Sequence, residues 1–205
     1  RDIKYSARGR YFSVDGINRK YGGLRLRLLG SHQLSNAALA IGIVEALSSS
    51  GVKISVAEIR RGLYNTFWPG RCEVLSSAPL IIVDGAQNVA SAEVLKTAIK
   101  ENFAKGVKYN KLILVFGACL DKDIKGMLKQ LSVLAEKIIF TSAQNARSAA
   151  PASLSKYIRQ RKKDIYITNN VKEAKRLALR LAEKDDLILV TGSLFVVGEF
   201  RDVGR

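Results

Sequence analysis

The stretch "LIIVDGAQN", residues 80–88, carries an apolar run into Asp84 and then into Gly85, Ala86 and two amides, Gln87 and Asn88. Two other stretches share that design, "VFGACLDKD" at 115–123 and "VTGSLF" at 190–195. In each, an apolar run stops, a glycine lets the backbone turn, and small or polar residues lead into a helical pattern. The first turn of a helix presents free N–H groups and a partial positive charge, which suit a phosphate or a carboxylate. Three such turns together point to a ligand-binding rim. Asp84 has two open readings. It caps the helix that follows, or its carboxylate accepts hydrogen bonds from a sugar hydroxyl.

Composition narrows the chemistry. His32 is the only histidine, which excludes a metal site built on histidines, and no metal site is expected in this chain. Cys72 and Cys119 form no C-x-x-C pair and read as reduced core thiols. The formal net charge of +16 favours an anionic partner such as a nucleotide or a polyanionic substrate. Its basic residues are spread along the chain, and the densest run, "RQRKKD" at 159–164, reads as the solvated end of a helix. Aromatics are not interleaved with basic residues as stacking platforms, so no nucleic-acid partner is expected. No apolar stretch approaches the roughly 18 residues of a membrane span. No signal peptide is visible at the start. A cytoplasmic protein without a membrane partner is therefore expected. The chain opens on Arg1, which suggests a fragment.

These residues need a scaffold. "RYFSVDG" and "GLRLRLLG" alternate as half-buried antiparallel strands. "QLSNAALAIGIVEALSSSG" predicts a helix with a wide apolar face, ended by Gly51. Ser55 and Glu58 stand at capping-box spacing for a second helix. "NTFWPGR" at 65–71 breaks the pattern and sets the expected boundary, residues 1–68 against 69–205. Beyond it, strands and helices alternate, including a predicted helix "PASLSKYIRQR" over 151–161. The strands are continuous Val, Ile and Leu runs, as expected when both faces are buried. The fold class is α/β, an open and mostly parallel Rossmann-like sheet with helices on its faces.

At this point the residues resemble a family. "SHQLSNAALAIGIVEAL", "WPGRCEVL", "LIIVDGAQN", "DKD" and "VTGSLFVVGEFR" follow in the order of the folylpolyglutamate synthase and dihydrofolate synthase branch of the Mur ligase superfamily. The resemblance spans about residues 10 to 201 and implies ATP-dependent amide ligation with magnesium. ATP phosphorylates a folate or dihydropteroate carboxylate, and the amino group of L-glutamate attacks the acyl phosphate. It also implies that residues 1–68 end a P-loop ATPase domain and that 69–205 form the Mur ligase C-terminal domain, in a protein monomeric at full length. Site residues carry over on the same basis. Asn36 resembles the asparagine at the nucleotide base. Arg71 resembles the catalytic arginine that reaches the ATP phosphates, for which a permanent charge and a planar fork are suited. Asp84 resembles the carboxylate at the ribose, and Gln87 and Ser193 resemble glutamate contacts. Lys122 and Asp123 match a signature in a cleft loop, and His32 reads as a packed structural residue.

Two departures stand out. The usual D-G-A-H-N-P is "DGAQNV" here, with Gln87 for histidine and Val89 for proline. Glutamine donates and accepts hydrogen bonds but does not titrate near neutrality. No G-x-x-x-x-G-K-[ST] loop occurs in the 205 residues. The chain by itself is therefore expected not to catalyse ligation. Another Mur-type amide ligase, or a non-catalytic nucleotide-binding module, remains an alternative.

Overall fold

A computed structural model describes residues 5–6, 9–48, 50–106, 108–158 and 163–202. The chain divides into two compact units, Arg1–Pro69 and Gly70–Arg205.

The first unit pairs strands β1 (Tyr5–Ser6), β2 (Gly9–Asp15) and β3 (Lys20–Leu26) in an antiparallel sheet, followed by helices α1 (His32–Ser48) and α2 (Val56–Asn65). β3 starts earlier than the "GLRLRLLG" pattern predicts, because Val14 pairs with Tyr21 and Asp15 with Lys20 beyond a shift in register. Tyr21, Leu24, Ile41 and Ile59 form the small core, with Phe12, Val14 and Leu63 packed against it. The capping box at Ser55 is present in full. α1 differs from expectation. It buries Gln33, Ala37, Ile41 and Glu45, a single four-residue ridge, and leaves Leu39, Ile43 and Leu47 exposed. The helix is apolar around most of its circumference, and only one stripe meets the strands of this unit. Arg25 also lies over the rings of Tyr11 and Tyr64, at 5.3 and 4.7 Å from their centroids. Strand pairing and α2 assemble that contact from residues far apart in sequence.

Glu45 joins α1 to the β2–β3 turn. Its buried carboxylate accepts the N–H groups of Ile17 (2.5 Å) and Asn18 (3.1 Å) and the hydroxyl of Tyr21 (3.1 Å). Burial alone would raise its pKa, but these donors outweigh that and hold it below the ordinary value. A depressed carboxyl contributes stability above its unfolded-state pKa and loses it as pH falls through the folded-state value. Acid titration is therefore expected to release the turn below pH 4.5, the reference value for glutamate. Glu45→Gln should abolish that step. Tyr21 ring resonances followed against pH would read both outcomes.

The second unit holds a six-stranded sheet. Its strands are β4 (Glu73–Ser77), β5 (Leu80–Asp84), β6 (Leu112–Phe116), β7 (Lys137–Phe140), β8 (Asp164–Ile167) and β9 (Leu187–Thr191). Their order is β4-β5-β9-β6-β7-β8. All neighbours are parallel except β4, which pairs antiparallel with β5 at one edge. Helices α3 (Val89–Asn102), α4 (Ile124–Leu131), α5 (Pro151–Ser155), α6 (Val171–Leu181) and α7 (Leu194–Asp202) connect or follow the strands.

The sheet is covered on both sides. Ile81, Val83, Ile113, Val115, Ile188 and Val190 share a core with Val171, Ala174 and Ala178 of α6 and Val196, Val197 and Phe200 of α7. The alternate residues Ile82, Leu114 and Leu189 turn to the other face and are fully buried. α3 and α4 pack on each other and bury Leu95, Ile99, Met127 and Leu128. The central strands thus match the continuous apolar pattern. β8 does not. As an edge strand it leaves Ile165 and Ile167 partly exposed. α5 is shorter than predicted, ending at Ser155 with a turn after it. Residues 159–162, which hold most of "RQRKKD", lie outside the described residues.

Two carboxylates, buried Asp186 and half-buried Glu136, tie the amino ends of the strands. Asp186 accepts from Lys111 N–H at 3.1 Å and Glu183 N–H at 3.0 Å. Glu136 accepts from Leu112 N–H at 2.7 Å. No helix among the described residues is long and apolar enough to cross a membrane.

Candidate functional site

β9 lies between β5 and β6, with Asp84, Thr191 and Phe116 in register. The connections after β5 and β6 lead to α3 and α4, whereas β9 leads to α7 on the opposite face. Helices that leave adjacent strands on opposite faces open a crevice at the carboxyl ends, the usual ligand position in an open α/β sheet. All three motifs flagged in the sequence therefore meet at one end of the sheet. Glycine is required here by close approach. A Cβ on Gly192, whose φ is +103°, would stand 2.5 Å from the Gly117 carbonyl oxygen. One on Gly117 would stand 2.4 Å from the Thr141 carbonyl oxygen.

Asp84 does not cap a helix. Asn88 caps α3, accepting from Ser91 N–H at 2.8 Å. Asp84 is buried, with Oδ1 accepting from Ala86 N–H and Oδ2 from Cys72 N–H, both at 2.8 Å. Burial pushes its carboxyl above the ordinary value, against the pull of those two N–H groups and of the Arg71 charge. The second bond reaches back to the turn that precedes β4. There Gly70 has φ +70° and Cys72 has φ +45°, a left-handed conformation uncommon for a residue with a Cβ. Gly85 N–H donates to the Gly70 carbonyl at 2.8 Å, and Gly70 N–H donates to Glu73 Oε2 at 2.7 Å. Arg71 is thus exposed on a turn fastened on both sides to the end of β5.

Gln87 is exposed beside Arg71's anchor. Its N–H and that of Asn88 both donate to Ser91 Oγ at 3.1 Å, so the first turn of α3 closes on itself. Val89, in place of proline, begins α3, and its Cγ2 would lie 2.5 Å from a Cβ on Gly126 of α4. Ser193 is buried at the start of α7, and its Oγ accepts from Phe195 N–H at 3.2 Å. In the β6 loop Asp123 caps α4 through Gly126 N–H at 2.8 Å. Lys122 pairs instead with Asp121 at 2.8 Å, and Asp121 also meets Arg147 at 3.3 Å. The structure thus groups Arg71, Asp84, Gln87, Lys122, Asp123 and Ser193 on strand-end loops of one unit.

Asn36 belongs to the other unit, exposed on α1. It donates from Nδ2 to Gln33 Oε1 at 3.0 Å, and Gln33 Nε2 lies 3.0 Å from His32 Nε2. Glu73 and Arg201 stand in the quoted motifs "WPGRCEVL" and "VTGSLFVVGEFR", but the sequence suggests no site role for either. They form an ion pair, with Nε 2.9 Å from Oε2 and Nη2 donating to Oε1 at 3.1 Å.

Both cysteines are buried and free. The Cys72 thiol is pushed up to about 12 by burial first and by the Asp84 charge second. The thiolate is the nucleophile that attacks a disulfide reagent, and a buried sulfur is also out of the reagent's reach. Neither thiol is therefore expected to react with an aromatic disulfide at pH 8 in the native chain, and both should react in denaturant. A rapid native reaction would contradict this burial.

Residues 70–194 match the family described as Mur ligase, glutamate ligase domain. The chain is 31% identical over 203 residues to the dihydrofolate synthase/folylpolyglutamate synthase of Bacillus subtilis, covering 94% of this chain and 44% of that protein. It superposes with a TM-score of 0.88 and 25% identity on Mycobacterium tuberculosis folylpolyglutamate synthase complexed with ADP and AMPPCP, covering 100% of this chain and 47% of the other. On Escherichia coli FolC in complex with DHPP and ADP the TM-score is 0.81 at 27% identity, covering 98% and 45%. The chain therefore spans less than half the length of each. With the motif order, the parallel sheet and the strand-end glycines in agreement, this chain belongs to the Mur ligase, glutamate ligase domain family.

Proposed function

We propose that this chain is the carboxyl-terminal part of an ATP-dependent ligase that adds L-glutamate to folate or dihydropteroate, and that residues 1–68 end its ATPase domain. The observation that carries this reading is Arg71, an exposed cation whose turn is fixed to the crevice by Asp84, Gly85 and Glu73. A fixed guanidinium stabilises charge on a transferring phosphoryl group without reorganising at the moment of reaction.

In this reading a substrate carboxylate oxygen attacks the γ-phosphorus of ATP and ADP leaves. The glutamate nitrogen then attacks the acyl carbon, phosphate departs, and the nitrogen loses a proton. Asn36 meets the base. Asp84 holds the Arg71 turn, and its remaining lone pairs are assigned to a ribose hydroxyl on the family resemblance. Gln87 orients glutamate as a neutral hydrogen-bonding group, the Ser193 hydroxyl receives its carboxylate, and Lys122 and Asp123 belong to the cleft loop. A divalent metal, which the resemblance implies, would supply charge screening at the phosphates when bound. Among the described residues no three His, Cys, Asp or Glu side chains gather to hold it, so no residue here is given that role. The reading describes a cytoplasmic monomer acting on small molecules.

The test uses a ligase in which residues 1–205 form the carboxyl-terminal half. Arg71→Ala should lower kcat/KM for ATP about 100-fold, equivalent to about 2.7 kcal/mol, with partial recovery in Arg71→Lys. An unchanged kcat/KM would remove Arg71 from the phosphates and favour a non-catalytic nucleotide-binding module.

A further inference from the structure

We propose that Glu73 and Arg201 are positioning residues that hold Arg71 in its working orientation, and that α7 thereby joins the two halves of the site. This rests on the reading of Arg71 as the phosphate contact. Glu73 does two things with one carboxylate. Oε2 accepts the Gly70 N–H at 2.7 Å, fixing the residue before Arg71. The same oxygen lies 2.9 Å from Arg201 Nε, off the line of its N–H, while Oε1 accepts from Nη2 at 3.1 Å. Both side chains are mostly shielded, at 11% exposure for Glu73 and 23% for Arg201, so water screens the pair less than it would a surface pair.

The turn itself needs such restraint. Cys72 holds φ at +45°, and a residue with a Cβ keeps that conformation only where its surroundings impose it. Asp84 restrains the turn from the Cys72 side and Glu73 from the Gly70 side. Without Glu73 the strained turn would have a lower-energy alternative, and the Arg71 side chain would leave with it. Arg201 orients Glu73 from the last turn of α7. The first turn of that helix follows Ser193, the proposed glutamate contact. α7 is buried along Val196, Val197 and Phe200, so it moves as a packed element. A displacement at the amino-acid end reaches the Arg71 turn through it.

The experiment is amide hydrogen exchange on the 205-residue chain. Glu73→Ala should speed exchange at least tenfold at Gly70, Cys72 and Gly85, leaving Leu114 in β6 unchanged. Arg201→Ala should act in the same direction. The exchange of partners, Glu73→Arg with Arg201→Glu, should restore melting temperature but not protection at Gly70, since the carboxylate no longer sits beside that N–H. Should Glu73→Ala fail to fold, Glu73→Gln keeps the side-chain volume and loses the charge that grips Arg201. It should speed exchange at Cys72 and Gly85. Slow exchange in the single variants, or full protection in the swapped pair, would overturn the proposal.

In the ligase described above, Glu73→Gln should raise KM for ATP about tenfold, and should do nothing in an Arg71→Ala background. An effect that persists without Arg71 would make the pair merely structural. If Arg71→Ala alone leaves ATP use unchanged, the nucleotide reading fails, while the exchange result still decides whether Glu73 holds the turn.

Discussion

Asp84→Asn should destabilise the second unit by about 2 kcal/mol and release the Arg71 turn, although the two side chains have nearly the same shape. The carboxylate serves two buried N–H donors, Cys72 on one oxygen and Ala86 on the other. A carboxamide offers one oxygen. Its NH2 must face the remaining backbone N–H, which leaves a buried donor unsatisfied and opposes two positive ends. An unmade buried hydrogen bond costs about 1–3 kcal/mol, and the opposed dipoles keep the figure away from the lower limit. Urea unfolding gives the stability, and exchange at Cys72 N–H reports the turn. A loss under roughly 0.5 kcal/mol, the range of ordinary surface changes, would mean that Asp84 is dispensable to the turn.

Gly192→Ala should cost more, about 3 kcal/mol or above, because two separate penalties add. The backbone at φ +103° is a region that side-chain-bearing residues rarely adopt. The new methyl would also stand 2.5 Å from the Gly117 carbonyl and 2.8 Å from the Phe116 ring. Neither neighbour can retreat, since Phe116 is fully buried and Gly117 N–H is bonded to Thr191. Gly198 in α7 provides the contrast. A Cβ there meets nothing within 4 Å, so Gly198→Ala should raise stability by up to about 1 kcal/mol through helix propensity. Paired thermal melts should move in opposite directions. A neutral Gly192→Ala would show that the ends of β9 and β6 yield enough to admit a methyl group.

Much of the site was legible in the sequence because it depends on local patterns. Continuous apolar runs marked β5, β6 and β9, and glycines marked their ends. The cap at Ser55 follows from a spacing of three residues. The edges were less legible. β4 reads "EVLSS", too polar to announce a strand, and exists because β5 offers it an antiparallel partner. β8 has the apolar composition of a central strand, yet it has a neighbour on one side only. Within the site, residue types were readable and their partners were not. Asp84 finds Cys72 twelve residues earlier, and Arg201 finds Glu73 across 128 residues. Such pairs are products of the fold's topology, which no local window contains.

The carboxylates at the strand starts have a wider consequence. Asp186 and Glu136 secure the amino ends of β6 and β9's approach, while the glycines and cations stand at the carboxyl ends. Anchoring carboxylates and the proposed site therefore stand at opposite poles of one sheet. In the proposed reading, substrate preference can drift by changes in the upper loops while the lower pole keeps the strands in register. The scaffold can equally be hardened from below without disturbing what is bound above.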